Sequence, residues 1–184
     1  MNDPHLLTHA LDVPGRPVVT LAGEDIAQIR DVLFDRGGSV GGFTLAGRGM
    51  MSGPMHEHLP WSEVHGFGPD AVIVRDEGVL HTDAGTRTID GGVIGDEVLT
   101  ESGTVIGVVT DAVLRLGAGL LDVVGYEVEA PGSSEPRFIP LPDTLAVAAG
   151  RLVVPDTAVE FLSHDLAGFG AAVDTFRSRL RSGS

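Results

Sequence analysis

Cysteine is absent from this chain, which removes disulfides, thiolate zinc sites and a cysteine nucleophile together. Lysine is absent as well, so every one of the 12 basic residues is arginine. That excludes Schiff-base chemistry and the lysine of a phosphate-binding loop. The bases face 26 acids, for a formal net charge of −14. Such a surface repels phosphate backbones and anionic headgroups, and neither nucleic acid nor a membrane surface is expected as a partner. No run of 18 apolar residues and no basic-then-apolar leader occurs. Neither membrane insertion nor a signal peptide is therefore expected, and the cytoplasm is the expected compartment.

What the chain does contain is a match to itself. Displaced by 80 residues, it overlies its own pattern from Gly15 through Val74 without a gap: Gly15-Arg16-Pro17-Val18-Val19-Thr20 falls on Gly95-Asp96-Glu97-Val98-Leu99-Thr100. Gly23 falls on Gly103, Asp31 on Asp111, Pro60 on Pro140, and Val72-Ile73-Val74 on Leu152-Val153-Val154. Two copies of one small fold are expected, at residues 12–75 and 92–155, joined by a linker at 76–91 and followed by a tail at 156–184. Units of this size bury only about 60% of their unfolded surface. Each copy is expected to lean on the other or on the tail.

Both copies read as strands. The stretch from Glu24 to Asp35 is flanked by glycines, and its counterpart from Thr104 to Leu114 is valine-rich and opens after Ser102-Gly103, a turn signal. A second strand (40–45; 120–128), a short one ending at Pro60 or Pro140, and a last one (71–74; 151–154) follow in each copy. Short strands with glycine turns indicate a small barrel or sandwich.

The order of these features resembles the PRC-barrel family, the module shared by the cytoplasmic part of the photosynthetic reaction-centre H subunit and the C-terminal domain of the ribosome maturation factor. Its carriers are a short strand (Pro17-Val18-Val19; Glu97-Val98-Leu99), a turn glycine (Gly23; Gly103), and a long strand with an aspartate among apolar residues (Ile29-Arg30-Asp31-Val32-Leu33; Val109-Thr110-Asp111-Ala112-Val113). A proline step followed by an acid completes it (Leu59-Pro60-Trp61-Ser62-Glu63-Val64; Ile139-Pro140-Leu141-Pro142-Asp143-Thr144-Leu145). The resemblance implies a mostly β protein of two tandem barrels used for docking to other proteins, without catalysis and without a cofactor. Asp31 and Asp111 are expected in equivalent places, accepting backbone N–H bonds, since a carboxylate among apolar neighbours must be hydrogen-bonded.

Apparent catalytic motifs do not hold together. Gly37-Gly38-Ser39-Val40-Gly41 has the G-x-S-x-G spacing, but strand-like Phe43-Thr44-Leu45 follows where a helix is required. Ser163-His164-Asp165 places triad residue types side by side, where they cannot form a relay. In Met50-Met51-Ser52-Gly53-Pro54-Met55-His56-Glu57-His58, imidazoles stand near thioethers, a soft donor set suited to copper. Met55, His56 and His58 are the candidate ligands for a metal- or small-ligand-binding alternative, with His65 and His81 as possible additions. An exposed loop with incidental histidines is the preferred reading.

After Pro155 the period changes. Val159, Leu162, Leu166, Phe169, Val173, Phe176 and Leu180 recur in steps of three and four, the seam of a helix, and Thr157 with Glu160 forms a capping-box pattern at its start. Gly168 and Gly170 interrupt it at about 1 kcal/mol each. Leu162, Leu166, Phe169, Val173, Phe176 and Leu180 are the candidate interaction residues, covering the barrels or joining a homodimer. The overall expectation is a non-enzymatic adaptor or scaffold for protein partners.

Overall fold

The computed structural model describes residues 6–34, 39–49, 52–82, 93–117, 120–143, 146–148 and 150–183. The first sheet is built from β2 (Pro17–Thr20), β3 (Asp25–Phe34), β4 (Val40–Ala46), β5 (Pro54–Pro60), β6 (Val64–Phe67), β7 (Val72–Val74) and β8 (His81–Thr82), in the order β6-β7-β2-β3-β4-β5-β8. The second contains β9 (Glu97–Thr100), β10 (Val105–Gly117), β11 (Leu120–Glu129), β12 (Pro136–Pro140), β13 (Ala146–Ala148) and β14 (Arg151–Val154), in the order β13-β14-β9-β10-β11-β12. Strand β1 (Leu6–His9) joins this second sheet at β10, and one helix, α1 (Leu166–Ser182), closes the chain.

The two sheets repeat each other down to single pairs. Val18 lies against Ala27 and, in parallel, Val72; Val98 lies against Gly107 and, in parallel, Leu152. Gly23 donates its N–H to Thr20 O at φ +85°, and Gly103 to Thr100 O at φ +84°, a left-handed backbone that glycine alone adopts without strain.

The gap-free offset, however, is corrected by the pairing. Asp31 faces Thr44 but Asp111 faces Glu127, a step of 83 in the second strand instead of 80. The extra residues lie in the β10–β11 hairpin and are given back before β5 and β12, where Leu59 faces Phe43 and Ile139 faces Tyr126. Runs rich in valine and glycine match one another at either step, so an ungapped comparison does not see the slip. At the corrected step Gly42 coincides with Gly125. A Cβ at the first would lie 2.4 Å from Leu59 O, and at the second 2.5 Å from Ile139 O, so close strand approach accounts for both glycines.

One core cluster contains Val18, Ile29, Phe43 and Leu59 from the first sheet together with Val98, Val109, Tyr126 and Ile139 from the second. The two sheets thus share apolar cover. Residues 76–82, expected as linker, hold a 3-10 turn (Glu77–Val79) and β8, whose His81 pairs with His58 of β5. The second sheet has the parallel arrangement: after the 3-10 turn at Asp156–Phe161, Ser163 bridges Phe138 of β12.

Candidate functional site

The outer face of the second sheet carries most of the chain's distinctive chemistry. Val113 on β10, Val124 on β11 and Phe138 on β12 form an apolar patch that is closed by Phe169 and Val173 of α1, with Leu7 of β1 and Leu166 at its margin. Phe176 enters the main core, where its ring lies 5.5 Å from that of Phe161. Phe169, Val173 and Phe176 are fully buried within the chain. The centre of the seam is therefore spent on the protein's own sheet, whereas Leu162, Leu166 and Leu180 are half-buried at its edges.

The helix starts later than Thr157. Its N-cap is Asp165, whose Oδ1 accepts from Gly168 N at 2.8 Å. Phe138 and Ser163 exchange backbone hydrogen bonds of 2.8 and 3.0 Å. Holding residue 163 extended against the β12 edge keeps residues 156–161 out of the helix. Ser163 and Asp165 are thus a bridge and a cap.

Two arginines bind the helix down. Arg115 of β10 reaches Asp174 Oδ1 at 2.6 Å and Gly170 O at 3.0 Å. Arg177, itself buried, donates to Leu141 O at 3.1 Å and to Asp122 Oδ2 at 2.8 Å, with Asp143 Oδ1 at 3.3 Å. A Cβ at Gly170 would make only ordinary contact, 3.6 Å from Leu7 Cδ1 and 3.9 Å from Arg115 Nη2.

Beside the helix-covered patch lies a polar clasp. Asp111 Oδ1 accepts from Ala112 N at 2.7 Å and Leu11 N at 3.3 Å, and its Oδ2 meets His9 Nδ1 at 3.1 Å. Glu127 Oε2 stands 3.5 Å from the same Nδ1, while its Oε1 accepts from Thr110 Oγ1 at 3.1 Å. Burial pushes the Asp111 carboxyl above its ordinary value, partly offset by the Ala112 N–H and by His9. Asp31 occupies the corresponding place on β3 with quite different surroundings: its side chain is 64% exposed against 7% for Asp111, and its partners are Thr44 Oγ1 at 3.4 Å and Arg30. Position is shared and burial is not. The difference comes from β1, which precedes the first sheet in the chain but covers the second.

The candidate metal ligands are divided. On β5 His56 is exposed and His58 half-buried, whereas Met55 packs against the core. His58 does meet His81, with ring centroids 5.9 Å apart, whereas His65 lies on β6. Met50 and Met51, like Gly37 and Gly38 of the G-x-S-x-G spacing, lie outside the described residues. Among the described residues no group of three histidine or carboxylate side chains converges as a metal site.

A second surface was not foreseen. Val105, Leu99 and Val153 pair in register across β10, β9 and β14, and the next row is Val108, Glu97 and Arg151. Val105, Val108 and Val153 are 42%, 44% and 40% exposed, so the face is apolar and open around the Glu97–Arg151 ion pair of 3.4 Å. On the first sheet, Asp25 stands where the second has Val105, and it is bonded to Arg48. The signal for this face is a valine on the second sheet where the first has an acid.

The model of the PRC-barrel domain family matches residues 92–161. The match takes in β9 to β14 and the 3-10 turn after them. No curated protein matches the chain.

Proposed function

We propose that this chain is a non-enzymatic adaptor that docks other proteins through a tandem pair of PRC-barrel-like domains, the first preceding the matched segment. The first sheet repeats the strand order of the matched one, and its β2–β3 and β2–β7 pairs repeat the registers of β9–β10 and β9–β14, which supports a common origin. The observation that carries the docking reading is the open face of Val105, Leu99, Val153 and Val108 on the matched barrel. Contiguous apolar side chains rimmed by an ion pair are the makeup of an interface core with a polar rim.

The test is affinity capture from the native cell with the wild-type chain and a Val105→Asp, Val153→Asp variant. The expected result is a captured protein that the variant loses while its circular dichroism and melting remain those of wild type. A capture set indifferent to the two aspartates would overturn the assignment of this face.

A further inference from the structure

We infer that β1 is a displaceable strap: it fills a strand-accepting groove between the β10 edge and α1, a groove that also receives an extended segment of a partner protein carrying an aliphatic residue followed, two positions on, by arginine or lysine. This goes beyond the docking face described above and rests on the same docking reading.

The groove is defined by its resident. β1 runs antiparallel to β10 with Leu7 opposite Arg115, Thr8 opposite Leu114 and His9 opposite Val113. This is the geometry by which an extended segment adds to a sheet edge, the main chain supplying affinity and alternate side chains supplying selectivity. Leu7 and His9 are those alternate side chains. Leu7 enters the apolar margin beneath Gly170. His9 enters the acid pair, its ring 5.8 Å from that of Phe138.

The resident fits the second pocket incompletely. Asp111 Oδ2 and Glu127 Oε2 both face one ring nitrogen, at 3.1 and 3.5 Å. A single Nδ1–H can donate to only one of them at a time. A guanidinium or an ammonium group carries several donors and a permanent charge, and serves both oxygens together. The chain's net charge of −14 draws a cationic segment toward this surface. Among the described residues, four pairs tie the resident to the edge of the sheet. A short edge strand opens at low free energy.

The probe is a fluorescent peptide copying residues 6–12 with arginine in place of His9, titrated by anisotropy into the full chain. The protein is used as wild type, as His9→Ala, and as His9→Ala combined with Glu127→Gln. Loosening the strap with His9→Ala is expected to tighten peptide binding about tenfold over wild type. Adding Glu127→Gln, or replacing the peptide's arginine with alanine, is expected to lose that gain. Because the native chain has no cysteine, Leu6→Cys with Leu116→Cys, which are Cα partners, offers a lock. The oxidised pair is expected to block the peptide and dithiothreitol to restore it. The inference is overturned if the folded His9→Ala chain binds no peptide, if arginine and alanine peptides bind equally, or if the oxidised lock binds as well as the reduced one. Failure here with partner capture intact removes the groove alone. A bound peptide with no captured partner removes the docking face and leaves the groove.

Discussion

Gly125→Ala is expected to undock the C-terminal helix, and the size of the effect follows from two distances. A Cβ at this position would lie 2.2 Å from Phe169 Cζ and 2.5 Å from Ile139 O. Neither neighbour has room to give: Phe169 is fully buried, and Ile139 is paired in the β11–β12 ladder. Displacing the ring forfeits burial worth about 1.5–3 kcal/mol. Strain where the strands are forced apart adds about 1–3 kcal/mol, for a combined loss of about 2.5–6 kcal/mol. A domain with 5–15 kcal/mol in hand, as is typical, keeps its β signal but melts far earlier. Urea and thermal unfolding followed by circular dichroism measure this directly. The ring's share is separable by a cycle with Phe169→Ala, in whose background Gly125→Ala is expected to cost about 1–2 kcal/mol less. If Gly125→Ala lies within about 0.5 kcal/mol of wild type, or costs the same with and without the ring, the account of this contact is wrong.

Gly170→Ala is expected to act in the opposite direction, raising stability by about 0.5–1 kcal/mol in the same melts, since its Cβ finds only ordinary contact with Leu7 at 3.6 Å and the helix gains propensity. The raised Asp111 carboxyl makes a pH prediction. A native state that binds the proton more tightly than the unfolded chain loses stability as pH rises from the ordinary carboxylate value, about 4, through the folded one. Asp111→Asn is therefore expected to become more stable relative to wild type across that window, with His9 and Glu127 still in place; a constant difference from pH 3 to 7 would refute the assignment. Calorimetric titration of untagged protein with copper, nickel and zinc is expected to give no stoichiometric binding, because Met55 is turned into the core. Uptake abolished by His56→Ala with His58→Ala would reverse that conclusion.

The strands were legible where their determinants are local: turn glycines and β-branched runs. Gly23 and Gly103 mark the same turn, and β2, β3, β9 and β10 fall where alternation places them. The slip to a step of 83 in β11 was not legible, since side chains of one type fit either register until cross-strand pairs are known. The tail shows the same limit. Its apolar spacing pointed to a helix with Val159, Leu162, Leu166, Phe169, Val173, Phe176 and Leu180 on one face; Phe169, Val173 and Phe176 are buried, but Val159 is exposed and, with Leu162, precedes the helix, whose start depends on Ser163 meeting Phe138, a contact between separate segments of the chain. The short strands β6 and β13 carry too few residues to announce themselves. The Asp111 clasp was half visible: the aspartate stood out, whereas His9 carried no signal, because nothing near it in the sequence says that it crosses to the second sheet.

That crossing also sets an order of events. His9 and Asp111 are 102 residues apart, and β1 has no ladder partner until β10 has been made. At a synthesis rate of about 5–20 residues per second, β1 waits on the order of 5–20 s for its place. Throughout that interval a short segment ending in histidine hangs free beside a first sheet that already has its own strands. Closing so long a loop comes late, after the local hairpins have formed. β1 is thus made before β10 and docked after it, and its docking fastens the finished second sheet to the first.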